Sequence, residues 1–487
     1  MKRLLLVLVV LLVGLAAAVV TRTLGVHSRQ VTVTPVAPES LDSTALAQRL
    51  AGALKFKTIS YQDSTQFEAR EFEGFQRYLR ESFPKVHATL KLEKVNGYGL
   101  LYEWVGSDTG LAPAVLLAHQ DVVPIEPGTE GKWTEPPFGG AIAAGYIWGR
   151  GALDDKGSLV AILEAIEHLI STGGKPRRTV YLAFGYDEEV GGRRGAAHIA
   201  DLLASRKVRP EFVLDEGGAL ATGLIPGVAA PVALVGIAEK GYVTVELTAQ
   251  AEGGHSSMPP NETAVGMLAA GITRLEHHQM PRAIRGPTAD MFDFLGPEMP
   301  FGPRLVMSNR WLLGGILAAG FGGTPQGNAM LRTTTVPTVL QAGVKENVLP
   351  STARALVNFR ILPGDSAGSV LDHVRRAVDD PRITVRALQE TVSDPSGVTS
   401  VNGEPFQLLA RTIRQVIPGA VVTPWLVVGA TDSRHYSGLT TNVLRFVGAP
   451  IGPDDLRRVH GTDERVSVQG YVNSVRIYIQ LLKNTAL

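Results

Sequence analysis

The chain begins with a continuous apolar run, Leu4 to Val20, with Lys2-Arg3 ahead of it and Arg22 behind it. A basic flank, an uncharged apolar segment and the small residues Ala16-Ala17-Ala18 have the form of an export signal. At about 17 residues the run lies at the lower edge of bilayer-spanning length. Cleavage after Ala18 and retention as a single anchor both stay open, the balance tilting towards an anchor, with residues 1–26 as the segment concerned. Residues 27–42, which overlap the Val-, Pro-, Thr- and Ser-rich stretch Thr32–Ser43, read as a linker to a body that faces outward.

From residue 43 the pattern becomes α/β. Ala114–Ala118 and Thr179–Phe184 are short, nearly unbroken apolar runs, as expected of strands buried on both faces. Between them Leu159, Ile162, Leu163, Ile166, Leu169 and Ile170 recur at helical spacing, ending at Gly173-Gly174. With Phe212–Leu214 as a further strand, the alternation predicts a mainly parallel sheet with crossover helices over residues 43–237. The character changes near Gly241. Tyr242–Gln250 and Ala355–Leu362 alternate apolar with polar, the mark of antiparallel strands with one wet face. Helices at about 262–277 and 369–378 complete a strand-helix-strand-strand-helix-strand order, an inserted α+β two-layer domain over 238–390. It carries its own Gly-, Pro- and apolar-rich insertion, 280–337. The α/β pattern resumes over 391–487, with helix 406–416, strand 425–428 and helix 470–483.

Composition narrows the chemistry. The chain has 487 residues, 45% hydrophobic and 19% charged, with no cysteine and a formal charge of +1. Without cysteine there are no disulfides, thiolate metal sites or thiol nucleophiles. Charge near zero provides no concentrated basic face for nucleic acid.

The candidate chemistry lies just after strands of the α/β part, where open sheets bind ligands. His119 and Asp121 stand in AHQDVVP, Asp154-Asp155 in GRGALDDKG, Glu188-Glu189 after the strand at 179–184, Asp215 at a strand end and His460 in RVHGTDER. Imidazoles and carboxylates without thiolate suit a hard-to-borderline divalent ion. Two His with four or more carboxylates exceed one tetrahedral site and suit two ions about 3.5–4 Å apart, which activate water and polarise a carbonyl. Adjacent Glu188-Glu189 would then divide as a proton-shuttling base and a metal ligand. Taken singly each segment is unremarkable: an acidic doublet is usually a solvated turn, and a lone strand-end histidine is usually structural. Their conjunction is what points to a metal centre.

HQDVVP, GRGALDDKG, YDEEVGG, LDEGG, GGHSSMPP, ENVLPS and VHGTDE, in one colinear order from about residue 45, resemble the di-zinc exopeptidase family, which includes glutamate carboxypeptidase, aminoacylase and succinyl-diaminopimelate desuccinylase. GRGALDDKG, GGHSSMPP and TDSRHY point to its carboxypeptidase S and N-fatty-acyl-amino-acid synthase/hydrolase branch. The resemblance implies two Zn2+ per subunit and a small peptide or N-acyl amino acid substrate cleaved beside a free carboxylate. It implies that His119 and Asp215 bind one ion, Glu189 and His460 the other, and Asp154 both. Glu188 would be the general base and Asp121 the carboxylate orienting His119, while Asp155 would have no ligand role and lie on the surface or brace its loop. The inserted domain would be a lid, with His255 stabilising the oxyanion, often from the partner of a homodimer. Arg360 and Asn347 would clamp the substrate carboxylate, and Gly429, Thr431 and Asp432 would line the substrate side.

Two rival readings exist. Gly364–Gly368 spells G-x-S-x-G, with Asp432 and His460 following in the order of an α/β-hydrolase triad around Ser366. Against it, the strand before Ser366 alternates and carries Arg360. A non-catalytic anchored binding module is the other, although no expected ligand or base is missing. Within the 280–337 insertion, Met291, Phe292, Phe294, Leu295, Phe301, Trp311, Leu312, Leu313, Ile316 and Phe321 either line an acyl channel or pack as a helical hairpin.

Overall fold

In the computed structural model, which describes residues 1–487, the apolar runs become adjacent parallel strands, Ala114–His119 and Val180–Gly185, buried at every position. Phe212–Asp215 flanks Ala114–His119 on its other side, also parallel, and is followed by Val443–Arg445. The full sheet has ten strands, parallel in the middle and antiparallel at the Lys91–Val95 and Gly99–Trp104 edge. Helices Ser43–Ala53, Lys156–Ser171 and Val468–Thr485 pack together over one face. The parallel register sets His119 opposite Gly185, three residues before Glu188. Chain segments far apart in sequence therefore end at one rim.

The chain leaves this sheet at Lys240, between strands Val232–Glu239 and Gly241–Gln250. The second sheet is four-stranded and antiparallel, in the order Thr334–Ala342, Thr352–Ile361, Gly241–Gln250, Ile383–Ala387. Helices Ala264–His277 and Ala367–Val378 cover one face. Val243, Val245 and Leu247 meet Val357, Phe359 and Ile361 beneath them, while Arg360 falls on the opposite side, as period two requires.

Four sequence expectations change. The insertion is not a hairpin resting on the lid. It holds helices Gly286–Leu295, Phe301–Ser308, Arg310–Phe321 and Pro325–Leu331. Met291, Phe292 and Leu295 pack with Val421 and Leu426 of the large sheet, and Phe294 stacks edge-on to Phe406. The expected linker is strapped down: Gln30 exchanges hydrogen bonds with both the N–H and the C=O of Val422, and Val36 N donates to Gln415 O. Asp155, for which a surface or a loop-bracing position stood open, is wholly buried, which removes only the surface alternative. Ser366 caps the helix Ala367–Val378 inside the lid, its Oγ accepting from Ser369 N. That hydroxyl serves helix capping, so a nucleophile elbow is not formed.

Candidate metal centre

His119 is placed by the last residue of a wholly buried strand. Its Nδ1 lies 3.0 Å from Asp121 O and 3.3 Å from Asp121 Oδ1, which leaves Nε2 as the atom directed outward. Asp121 is itself fixed: Oδ2 accepts from Ser60 Oγ at 2.6 Å, and the N–H groups of Glu188 and Glu189 donate to its two oxygens. One carboxylate thus orients an imidazole and also pins the turn that carries both glutamates.

Asp154 stands at the centre. Oδ1 is 3.0 Å from His119 Nε2, and Oδ2 is 3.0 Å from His460 Nε2. His460 Nε2 also lies 3.2 Å from Glu189 Oε2. Each Asp154 oxygen therefore faces a different histidine, the disposition a carboxylate needs to serve two ions. Candidate ligand atoms of His119, Asp154 and Glu189 lie within 4.8 Å of one another, and so do those of His119, Glu188 and Glu216.

The fourth carboxylate is not the one expected. Asp215 is turned into the protein, where its Oδ2 accepts from Ser433 N at 2.7 Å. The next residue, Glu216, reaches the cluster instead, with Oε1 3.9 Å from His119 Nε2. Glu464, which the sequence reading did not single out, shapes the Asp154 loop. Its Oε1 accepts from the N–H groups of Gly151, Leu153 and Asp154, and its Oε2 from Arg150.

The electrostatics follow from burial and crowding. Burial, then the charge of neighbouring carboxylates, raises Glu188 and Glu216 well above the ordinary carboxylate range and raises Glu189 as well. Asp154 is equally buried, yet hydrogen bonds to His119 and His460 hold it well below that range. His460 is pushed up to about 10 by its bonds to Asp154 and Glu189. His119 is raised too, Asp121 and Asp154 outweighing the opposing effect of burial. Several acids compressed into one pocket beside two imidazoles form a donor set that divalent cations would discharge. The residues fit metal.

Two cavities border this cluster at different residues. One, of about 290 Å³, reaches Asp154 and Glu216 and is otherwise mostly apolar, with Leu224, Ile225, Trp425 and Val459 among its walls. The other, of about 960 Å³, is polar and lies between the two sheets; it touches Glu188, Glu189 and His460 and presents Arg193, Arg360, Arg434 and His435. Arg360 is held over the Tyr242 ring, 4.7 Å from its centroid. Gly429 lines the polar cavity. Thr431 and Asp432 do not: Thr431 is buried, donating to Glu239, and Asp432 is packed against Gly192, whose φ of 65° and missing Cβ leave it room. His255 and Asn347 come together where two short strands remote in sequence, Gly254–His255 and Val348–Leu349, pair on the exposed surface; Ser256 N donates to Asn347 O, and neither residue lines either of these two cavities.

Residues 115–484 match the sequence profile of peptidase family M20/M25/M40. The chain belongs to this family. Among curated relatives, a probable carboxypeptidase S-like protein of Dictyostelium discoideum is 42% identical over 98% of this chain and 93% of its own length. The N-fatty-acyl-amino acid synthase/hydrolase PM20D1 of Xenopus tropicalis is 41% identical over 90% and 86%. Carboxypeptidase S of Saccharomyces cerevisiae is 32% identical over 91% and 84%. A metallo-carboxypeptidase of Sulfolobus solfataricus superposes with a TM-score of 0.64 at 21% identity, covering 90% of this chain and 98% of that one, which establishes the shared fold. This M20 chain is therefore a hydrolytic enzyme of a metal-dependent family.

A pH prediction follows for the metal-free M20 enzyme. His460 has a folded value of about 10 against an ordinary 6.5, so its stabilising contribution is complete below 6.5 and lost as pH rises towards 10. The raised glutamates act with the same sign, because the folded state holds their protons more tightly. Metal binding needs neutral imidazoles and ionised carboxylates, so it strengthens with pH. Calorimetry after chelation is expected to show Tm falling as pH rises through this window, and metal addition is expected to restore more stability at the upper end than at the lower. A chelated protein whose Tm rises with pH would contradict the crowding.

Proposed function

We propose that this enzyme hydrolyses N-acyl amino acids, preferring a long apolar acyl group joined to an amino acid with a free carboxylate. The observation that carries the proposal is that one acidic cluster borders both an apolar cavity and an arginine-bearing one. An amide lying across the cluster would direct its acyl chain along Leu224, Ile225 and Trp425, and its carboxylate towards Arg360, Arg193 and Arg434. A guanidinium's planar fork suits a carboxylate, and burying methylenes favours longer chains. The similarity to PM20D1 proteins supports the same direction.

In this reading His119 and Glu216 would hold one Zn2+ and Glu189 and His460 a second, with Asp154 the carboxylate available to both. Bound there, the ions supply Lewis acidity to the scissile carbonyl and acidify water. Glu188, buried beside them with its carboxyl raised, takes the proton of the attacking water and returns it to the departing amine. Asp121 keeps His119 in the tautomer that presents Nε2. Glu464 fixes the backbone that aims Asp154. His255, exposed on the lid, would reach the oxyanion through lid closure or from a second copy.

The test is kcat/KM for acyl chains of increasing length on one amino acid. Each methylene buried is worth about 0.8 kcal/mol, so roughly four-fold per carbon is expected until the cavity is full. A flat series, or a preference for unacylated dipeptides, would sink the acyl-chain reading. Trp425→Arg in the cavity wall is expected to abolish the length preference and leave cleavage of an acetylated substrate largely intact.

A further inference from the structure

The N-terminal helix Lys2–Leu24 is the only helix long and apolar enough to cross a membrane. Its 23 residues extend about 34 Å, against a hydrocarbon core of about 30 Å. It buries only Val19 and Thr23. Lys2 and Arg3 at its start are consistent with the outward-facing catalytic body expected from the sequence.

Its last turn is docked on the insertion. Arg22 Nε donates to Ser308 O at 2.8 Å, and the buried Asn309 donates from Nδ2 to Val19 O at 3.2 Å and to Thr23 Oγ1 at 3.0 Å. The chain that follows is strapped to the catalytic unit through Gln30, Val36 and Glu39, whose carboxylate pairs with Lys483. The body is thereby held close to the end of the helix.

At that same junction begins Arg310–Phe321, an apolar helix in which no side chain is buried. Trp311 and Ile316 stand 59% and 65% exposed, and Phe301 on the preceding helix 51%. A soluble surface does not ordinarily present so much large apolar side chain in one place. Beside it a cavity is lined by Arg22, His27, Arg29 and Arg310, with Asp293 as its one acidic residue. Arg310 pairs with Asp293, and Arg29 lies over the Phe294 ring. Exposed Trp and Phe next to arginines, at the end of a membrane-length helix, match the composition of a bilayer interface.

We propose that the helix Arg310–Phe321, with Phe301, seats in the face of the bilayer that bears the catalytic body, and that the neighbouring arginines meet the headgroup phosphates. The catalytic body then rests on the membrane instead of swinging from a tether. The seat is independent of substrate class, so its failure leaves the proposed hydrolysis standing, and the reverse also holds.

Because the chain contains no cysteine, single labels report position cleanly. The full-length chain carrying Ile316→Cys is labelled with a polarity-sensitive fluorophore and placed in nanodiscs of phosphatidylcholine and phosphatidylglycerol containing nitroxide-bearing lipid. Phe301→Cys is the second reporter, should the first fail to fold. Lys94→Cys, on the strand at the far edge of the large sheet, is the reference. Emission from positions 316 and 301 is expected to shift to the blue and fall several-fold with nitroxide lipid, with little change at 94. Equal quenching at all three positions would overturn the seat. So would a label at 316 shielded from water but untouched by lipid quencher in discs holding two copies, because a second chain would then cover the helix. Recovery of the exported chain without its N-terminal helix would overturn it as well.

Discussion

Glu188→Gln is expected to lower kcat by about 10²–10⁴-fold, the usual contribution of a positioned general base, while metal content stays unchanged. Glu188 shares a cluster with His119 and Glu216, is buried, and borders the polar cavity where the substrate would lie. Its backbone N–H, not its side chain, makes the fixed contact to Asp121. The amide therefore preserves the turn and removes only the capacity to accept a proton. Metal analysis and KM separate the outcomes: a fall in kcat with KM and metal unchanged supports the base, and near-normal turnover refutes it.

Asp154→Ala is expected to have the other large effect, loss of metal and activity together. Its two oxygens face His119 and His460 separately, so one substitution removes a ligand atom from each side of the proposed pair. Metal affinity is expected to fall by more than the roughly 10–100-fold typical of losing an outer-shell partner. Glu464→Gln gives the informative contrast. It leaves every proposed ligand in place but weakens the acceptor for three backbone N–H groups of the Asp154 loop, so a milder loss of affinity is expected. Retention of two tightly held ions by Asp154→Ala would remove the bridging role.

Much of the architecture was legible because its signal is local. Nearly unbroken apolar runs at 114–118 and 179–184 suit strands covered on both sides, and the alternation of Val357, Phe359 and Ile361 with Asn358 and Arg360 suits a sheet with one packed face. The order of the acidic and histidine segments along the chain carried the family. Their positions at strand ends followed from the sheet type, since parallel strands direct their carboxyl ends to one rim.

Only the tertiary structure decided between neighbours. Asp215 and Glu216 are adjacent carboxylates at a strand end, and successive side chains there point to opposite sides. Which of them meets His119 depends on register against Ser433, 218 residues further on. Asp432 follows the same rule: its segment borders the polar cavity through Gly429, yet its own side chain is directed into the protein against a glycine. Glu464 was not singled out because its partners, three backbone N–H groups and the Arg150 side chain, lie more than 300 residues away, and such pairings leave no mark on local pattern. The insertion's apolar residues were ambiguous for a related reason. Hydrophobicity fixes that Phe292 and Trp311 avoid water, but only packing assigns the first to the catalytic sheet and leaves the second exposed beside the N-terminal helix. What the sequence determines alone is what one segment does with its own neighbours; the partner each side chain meets across the fold is set by distances no local pattern encodes.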